Sequence, residues 1–175
     1  MRTSRLYIHY RFTAMLNKEP ANISPSDQAK VRCFGSTGAL TVEATLLHKK
    51  GKACGDTVNL DIAPKNKDGV QWDRKITLQL SDTELPILAA VCLGYLPKAQ
   101  FKRPDKGIVV ERQVNKLYFS ATQGAGNNFA LPVPIGQTFQ ITTLLLTQLQ
   151  KQTQLEDGAL LVAAIRGSSS LYKSA

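Results

Sequence analysis

The stretch that most constrains the fold is residues 70–94, which changes from a strand pattern to a helix pattern within a few positions. In residues 75–80, apolar and polar side chains alternate, which predicts a strand with one buried face. Ser81 and Glu84 then have the S-x-x-E spacing of a capping box. An almost continuous apolar run follows, and Gly94 offers a left-handed end. We therefore predict a strand followed by a helix that is buried on every side.

A second stretch, residues 127–150, repeats this order, with an alternating strand pattern and then an apolar helix pattern. Period-two alternation predicts further strands at residues 40–47 and 58–62, and a hairpin over residues 107–121. The short connections favour antiparallel pairing. We expect an α+β fold of two β-rich halves, each ending in a helix. Residues 159–165 fit either a last strand or a short helix.

Length and charge set the class of protein. The 175 residues suffice for one domain with a substantial core. A net charge of +9 and a pI near 9.6 favour an anionic partner, with nucleic acid ahead of an acidic membrane surface. No apolar run reaches the roughly 18 residues that cross a bilayer, so we expect no membrane span.

The cysteines and the N-terminal segment bear on location. Three scattered cysteines without C-x-x-C spacing favour a reducing compartment. Residues 1–35 are the most basic segment, and alternation over residues 6–12 favours a strand over a mitochondrial targeting peptide. We expect a cytoplasmic protein, with a bacterial or plasmid-encoded origin favoured and an organellar matrix as the alternative.

The sequence offers little for catalysis. Its histidines, His9 and His48, show no arrangement with a nucleophile, and the cysteines and histidines lack metal-ligand spacing. The glycines at 124–126 lack the third glycine of a dinucleotide-binding loop and precede a strand, so a hairpin turn is the better interpretation. We expect no enzymatic activity, no cofactor and no metal.

Cations interleaved with aromatic residues give the binding hypothesis. Phosphates require positive charge, and unpaired bases require flat apolar faces. Both predicted helices are too apolar to enter a duplex groove. The alternative is that lysine-rich loops only keep the domain soluble and Trp72 fills the core. The candidate binding residues are Lys50, Lys52, Lys65, Lys67, Trp72, Arg74, Lys75, Phe101, Lys102, Arg103, Arg112, Lys116 and Tyr118.

Several segments carry a family resemblance. Residues 58–94 combine a strand, a turn, the segment QWDRK, a Thr-Glu helix start and an apolar helix ending in glycine. LYFSAT at 117–122 and FALPVP at 129–134, with the helix after it, follow in order. Residues 40–150 thereby resemble the Whirly family of single-stranded DNA-binding proteins. KGKA at 50–53 matches the start of a further family motif, and the match ends at Cys54.

The resemblance implies two packed four-stranded antiparallel sheets, each followed by a helix, in a tetramer with its helices at the centre. It divides the chain into a basic extension (1–35), a Whirly-like domain (36–150) and a C-terminal extension (151–175). The function implied is sequence-tolerant single-stranded DNA binding. The alternatives are an RNA-binding or annealing factor on the same fold and a non-catalytic assembly protein with an acidic partner.

Apolar helix surface gives an independent reason to expect a homotetramer. The predicted helices carry more apolar side chains than two sheets need to cover, and surfaces of that kind usually mark subunit contacts. The residues expected at the contacts are Leu85, Leu88, Ala89, Cys92, Leu144, Leu145 and Leu149.

Overall fold

The computed structural model describes residues 29–172, and two β-rich halves follow each other along the chain. The first half contains β1 (Lys30–Phe34), β2 (Gly38–Lys49), β3 (Lys52–Asn66), β4 (Gly69–Val70), a short 3-10 helix (Trp72–Arg74), β5 (Ile76–Gln79) and α1 (Glu84–Leu93). The second contains β6 (Lys98–Lys102), β7 (Lys106–Gln113), β8 (Lys116–Gln123), β9 (Asn127–Pro134) and α2 (Ile135–Thr153), and α3 (Gly158–Ser169) follows.

Each half folds into one antiparallel sheet. In sheet 1, β1, β2 and β3 pair in order, and both β4 and β5 lie along the free side of β3. The first sheet therefore has five strands instead of the expected four. Sheet 2 has the order β6-β7-β8-β9. The predicted α+β fold, with a helix after each antiparallel sheet, is confirmed.

The capping box predicted before α1 is present. The backbone N–H of Ser81 donates to Glu84 Oε2 at 2.9 Å, and the Glu84 N–H donates to Ser81 Oγ at 3.2 Å. At the other end, Gly94 has a φ of 89°, and the Tyr95 N–H donates to the Ala90 carbonyl at 2.9 Å. Local sequence therefore fixes both ends of α1.

The core lies between the two sheets and the three helices. The apolar helix residues expected at subunit contacts are all buried inside one chain, and Leu144 is the most exposed of them at 8%. That expectation was wrong for these residues because α1 packs against both α2 and α3. The tetramer stays a prediction.

Both segments named as extensions contribute to this domain. Residues 30–34 form β1, which pairs along β2. Residues 159–165, left open between strand and helix, lie in α3, which places Leu161 and Ile165 in the core. The Asp157 carboxylate caps α3 by accepting from the backbone N–H of Ala159 at 2.8 Å. The expected strand at residues 6–12 lies outside the described residues. Among residues 29–172, no helix combines the length and hydropathy of a membrane span.

Candidate functional site

Four candidate residues gather at one end of sheet 1. Lys65 and Lys67 are exposed at the turn between β3 and β4, and Trp72 and Arg74 belong to the 3-10 helix that follows. The Gln71 N–H donates to the Pro64 carbonyl at 2.9 Å, which holds this segment against the end of β3. We call Lys65, Lys67, Trp72 and Arg74 the junction cluster.

Arg74 connects the two sheets. Its guanidinium carbon lies 5.7 Å from the centroid of the Phe129 ring on β9, which is cation–π distance. Its Nη1 donates to Gln71 Oε1 at 3.2 Å and its Nη2 to Asn127 Oδ1 at 3.5 Å. None of the ion pairs found among residues 29–172 includes Arg74. Its positive charge is therefore held in place without a carboxylate to neutralise it.

Trp72 is the aromatic member of the junction cluster. The residue lies in a 3-10 helix, so the alternation of β5 does not determine which way its ring points. It is 37% exposed, and no residue of this 3-10 helix is buried. The ring therefore retains surface beside exposed cations and does not fill the core.

Lys50 and Lys52 lie at the far end of sheet 1, at the two-residue turn between β2 and β3. Since β3 runs from Lys52 to Asn66, they stand about 45 Å from the junction cluster along this strand. The neighbouring Lys49 Nζ contacts Asp82 Oδ2 at 2.6 Å, which raises the pKa of Lys49 and lowers that of Asp82. This ion pair joins the turn to the segment before α1.

Three of the predicted cations have internal partners. Lys75 Nζ lies 2.6 Å from Asp61 Oδ2, and the Thr77 hydroxyl donates to the other carboxylate oxygen at 2.6 Å. Arg112 Nη1 donates to the carbonyls of Val91 at 3.0 Å and Cys92 at 3.1 Å, at the C-terminal end of α1. Its contacts are those of a helix-capping residue.

Arg103, the third of these cations, binds Glu84. Its two terminal nitrogens donate to the two Glu84 carboxylate oxygens at 2.8 and 2.7 Å, and Nη2 also reaches the Gln79 carbonyl at 2.7 Å. Burial by itself would raise the pKa of Glu84. The hydrogen bonds from Arg103 and from the Ser81 N–H outweigh burial, so this pKa lies below its ordinary value. Glu84 in turn raises the pKa of Arg103.

Phe101 requires a correction, because it is 1% exposed and belongs to the core. Its segment is β6, where Ala99 and Phe101 point inward and Lys98, Gln100 and Lys102 are exposed. The ring has no surface to offer to a ligand.

The remaining candidates lie on sheet 2. Lys102 and Lys116 are exposed, and Tyr118 is half-buried on the face opposite Phe119. Tyr118 lies between Glu111 on β7 and Pro132 on β9. Sheet 2 therefore has two partly exposed rings, Tyr118 on β8 and Phe129 on β9, and Arg74 lies over the second.

Sequence reasoning missed two residues of β1. Phe34 is 64% exposed, and Arg32 is exposed on the same side of the strand. Lys30, Arg32 and Phe34 alternate with the inward-facing Val31 and Cys33, and that alternation was the available signal. The sequence pattern predicts a strand at Phe129 but gives no sign that its ring lies under Arg74.

Metal-binding and histidine chemistry find little support in the described part of the chain. No group of three or more His, Cys, Asp or Glu residues gathers there at metal-binding distance. His48 is exposed, and its Nδ1 lies 3.0 Å from the Leu46 carbonyl oxygen. Burial raises the pKa of the Cys33 thiol to about 11 and that of Cys92 to about 12, which keeps both thiols protonated near neutral pH.

Comparison with known proteins identifies the fold. No protein-family model matches the sequence, and no curated protein matches it. The structure is similar to that of a guide-RNA-binding protein complex bound to a guide RNA, with a TM-score of 0.56 and 12% identity over 78% of this chain and 97% of that one. It is also similar to Trypanosoma brucei MRP1/MRP2, with a TM-score of 0.51 and 10% identity over 71% of this chain and 92% of that one. At these identities the similarity establishes a shared fold.

Proposed function

We propose that this protein binds single-stranded nucleic acid with little dependence on sequence and without enzymatic activity. The observation that carries the proposal is the junction cluster, where an exposed tryptophan lies beside Lys65, Lys67 and Arg74 and none of these three cations is ion-paired within residues 29–172. Cations attract the phosphates, and the ring offers an unpaired base a stacking surface.

The geometry suits a flexible strand better than a duplex. The cluster belongs to a strand end, a turn and a 3-10 helix, with no long helix to enter a major groove. A base can stack on the exposed surface of the Trp72 ring only if it has left the duplex stack, which a single strand allows. Since stacking and charge contacts do not read base edges, we expect little sequence preference.

DNA and RNA are both candidates for the strand. The resemblance to the Whirly family supports DNA. The similar structure described as a guide-RNA-binding protein complex supports RNA as the second candidate, because it shares this fold. RNA would be favoured if matched oligonucleotides of both types showed tighter RNA binding, since only ribose offers a 2′-hydroxyl.

A homo-oligomer, with a tetramer favoured, is part of the proposal. Ile135 and Phe139 are 65% and 69% exposed and lie one helical turn apart on α2, so apolar helix surface remains uncovered in one chain. Light scattering should give the mass of four chains at micromolar concentration. The mass of one chain would refute an oligomer.

Fluorescence from Trp72 tests the proposed site, because the chain contains no other tryptophan. Oligothymidylate and oligouridylate should quench the emission to saturation, and added salt should reverse the quenching as phosphate contacts are lost. Trp72→Ala should weaken single-strand binding by about 5- to 150-fold, from a stacking energy of about 1–3 kcal/mol per base.

Two variants serve as controls. Trp72→Phe retains a ring and should retain most of the affinity, whereas Leu160→Ala alters an apolar residue on α3, 54% exposed, and should leave affinity unchanged. Equal affinity for single-stranded and duplex forms of one sequence, or no binding to either, would refute the proposed function.

A further inference from the structure

We propose that β1 carries a second base-binding position, at which Phe34 stacks on an unpaired base and Arg32 contacts a neighbouring phosphate. This inference rests on the proposed function. It adds a contact at the β1 edge of sheet 1, on the face that also carries Thr41, Asp61 and Thr77; of these, Thr41 and Asp61 are buried.

The first argument is the exposure of the ring. Phe34 is 64% exposed, although the adjacent Cys33 is 2% exposed. The ring gains little from the core, because the alternation of β1 directs Val31 and Cys33 inward and Phe34 outward. An exposed aromatic side chain on a sheet edge offers a base a flat apolar surface.

The second argument is electrostatic. Two acids that the strand register places near Arg32 on this face already have partners: Asp61 binds Lys75 at 2.6 Å, and Glu43 lies 3.9 Å from Lys30. Arg32 takes part in none of the ion pairs found among residues 29–172. Its guanidinium is therefore available for a phosphate, for which its planar donor geometry is well suited.

The third argument is the path to the junction cluster. Phe34 lies opposite Ala39, and Ala39 opposite Ala63, so Phe34 is two strand spacings, or about 10 Å, from β3. Lys65 follows Ala63 on the same face, and its N–H donates to the Thr37 carbonyl at 3.0 Å. Phe34 and the junction cluster thus occupy the same end of sheet 1, and one strand can contact both.

The proposed contacts on β1 favour a single strand. Arg32 and Phe34 are two residues apart on a strand, so their Cα atoms are separated by about 6.7 Å. Stacking on Phe34 requires a base whose face is not covered by a neighbouring base, which a flexible single strand offers and a duplex does not. A single strand can therefore place a base on Phe34 and a neighbouring phosphate on Arg32.

The test compares Phe34→Ala, Phe34→Tyr and Leu160→Ala in titrations with oligothymidylates of graded length. Phe34→Ala should weaken single-strand binding by about 5- to 150-fold, as expected for one stacked base. It should also shorten the smallest oligonucleotide that saturates the protein, while bound DNA still quenches Trp72. Phe34→Tyr should behave like the wild type, and thermal melting should show all three variants folded.

Arg32→Gln provides an independent readout. Losing one phosphate contact should reduce the slope of log affinity against log salt by about 0.7. If Phe34→Ala binds with wild-type affinity and site size, the β1 position is refuted while the proposed function stands. If Phe34→Ala weakens the binding of single strands and duplexes equally, the β1 position is also refuted. A wild-type protein that binds no nucleic acid would refute both proposals.

Discussion

At position 50 the backbone conformation favours asparagine, whereas nucleic-acid binding would favour the positive charge of lysine. The turn between β2 and β3 has φ values of 51° at Lys50 and 77° at Gly51. Two positive φ values are typical of a type I′ turn, in which asparagine followed by glycine is preferred. A lysine in the left-handed region costs about 1 kcal/mol. Lys50→Asn should therefore stabilise the fold while removing an exposed positive charge.

The two effects have different magnitudes and readouts. Relief of the backbone cost should raise the free energy of unfolding by about 0.5–1 kcal/mol, which corresponds to a rise in Tm of about 1–4 °C for a domain of this size. If Lys50 contacts a phosphate, its loss should lower the salt slope of single-strand binding by about 0.7, which is about a fivefold loss of affinity near 0.1 M salt. Urea unfolding and fluorescence titration measure the two effects separately.

Lys52→Gln is the matched control, because it removes the same charge from the same turn at a residue with ordinary φ. This variant should lose a similar amount of affinity without becoming more stable. The backbone reasoning fails if Lys50→Asn is no more stable than Lys52→Gln. The phosphate contact is refuted if Lys50→Asn binds DNA and RNA like the wild type.

Two further substitutions test residues with internal partners. Glu84→Gln keeps an acceptor for the capping box but removes the charge that Arg103 binds. It should therefore lower the free energy of unfolding by about 1–3 kcal/mol near neutral pH. The pKa of Glu84 in the folded state lies below its ordinary 4.5. The wild type should therefore be more stable than Glu84→Gln by the full amount above pH 4.5, and this difference should disappear as the pH falls through the folded-state pKa. Urea unfolding from pH 7 downward should show the two proteins converging, and a constant difference would contradict the ion pair. Arg112→Met should lower the free energy of unfolding by about 1–2 kcal/mol, because it removes a donor from the Val91 and Cys92 carbonyls and leaves Val91 with the Gly94 N–H alone. Nucleic-acid affinity should be unchanged. Lys116→Met is its control and should leave the free energy of unfolding unchanged. If Arg112→Met is as stable as the wild type but binds nucleic acid more weakly, Arg112 is a binding residue instead.

Local sequence patterns predicted the strand-to-helix units because their signals lie within a few residues. The capping box of α1 needs only Ser81 and Glu84, and the turn between β7 and β8 needs only two residues, with Asn115 at a φ of 64°. Adjacent strand residues also face opposite sides, as Tyr118 and Phe119 do on β8. Each of these features depends on contacts between near neighbours in the chain.

The candidate site was less predictable because charge pairing depends on distant residues. Arg103 finds Glu84, and Arg112 finds the end of α1, only after the sheets and helices pack. Nothing near either arginine in the sequence indicates these partners. Phe101 was misassigned for another reason: the cations beside it resembled a binding loop, although its alternation with Lys102 was that of a strand.

The position of α3 delays the burial of α1 during synthesis. α1 is translated well before α3, which packs against it. Until then, an apolar helix lacks part of its cover and is open to chaperones or to other nascent chains. A truncation before Gly158 would leave every proposed nucleic-acid contact in the chain and still lower the yield of folded protein.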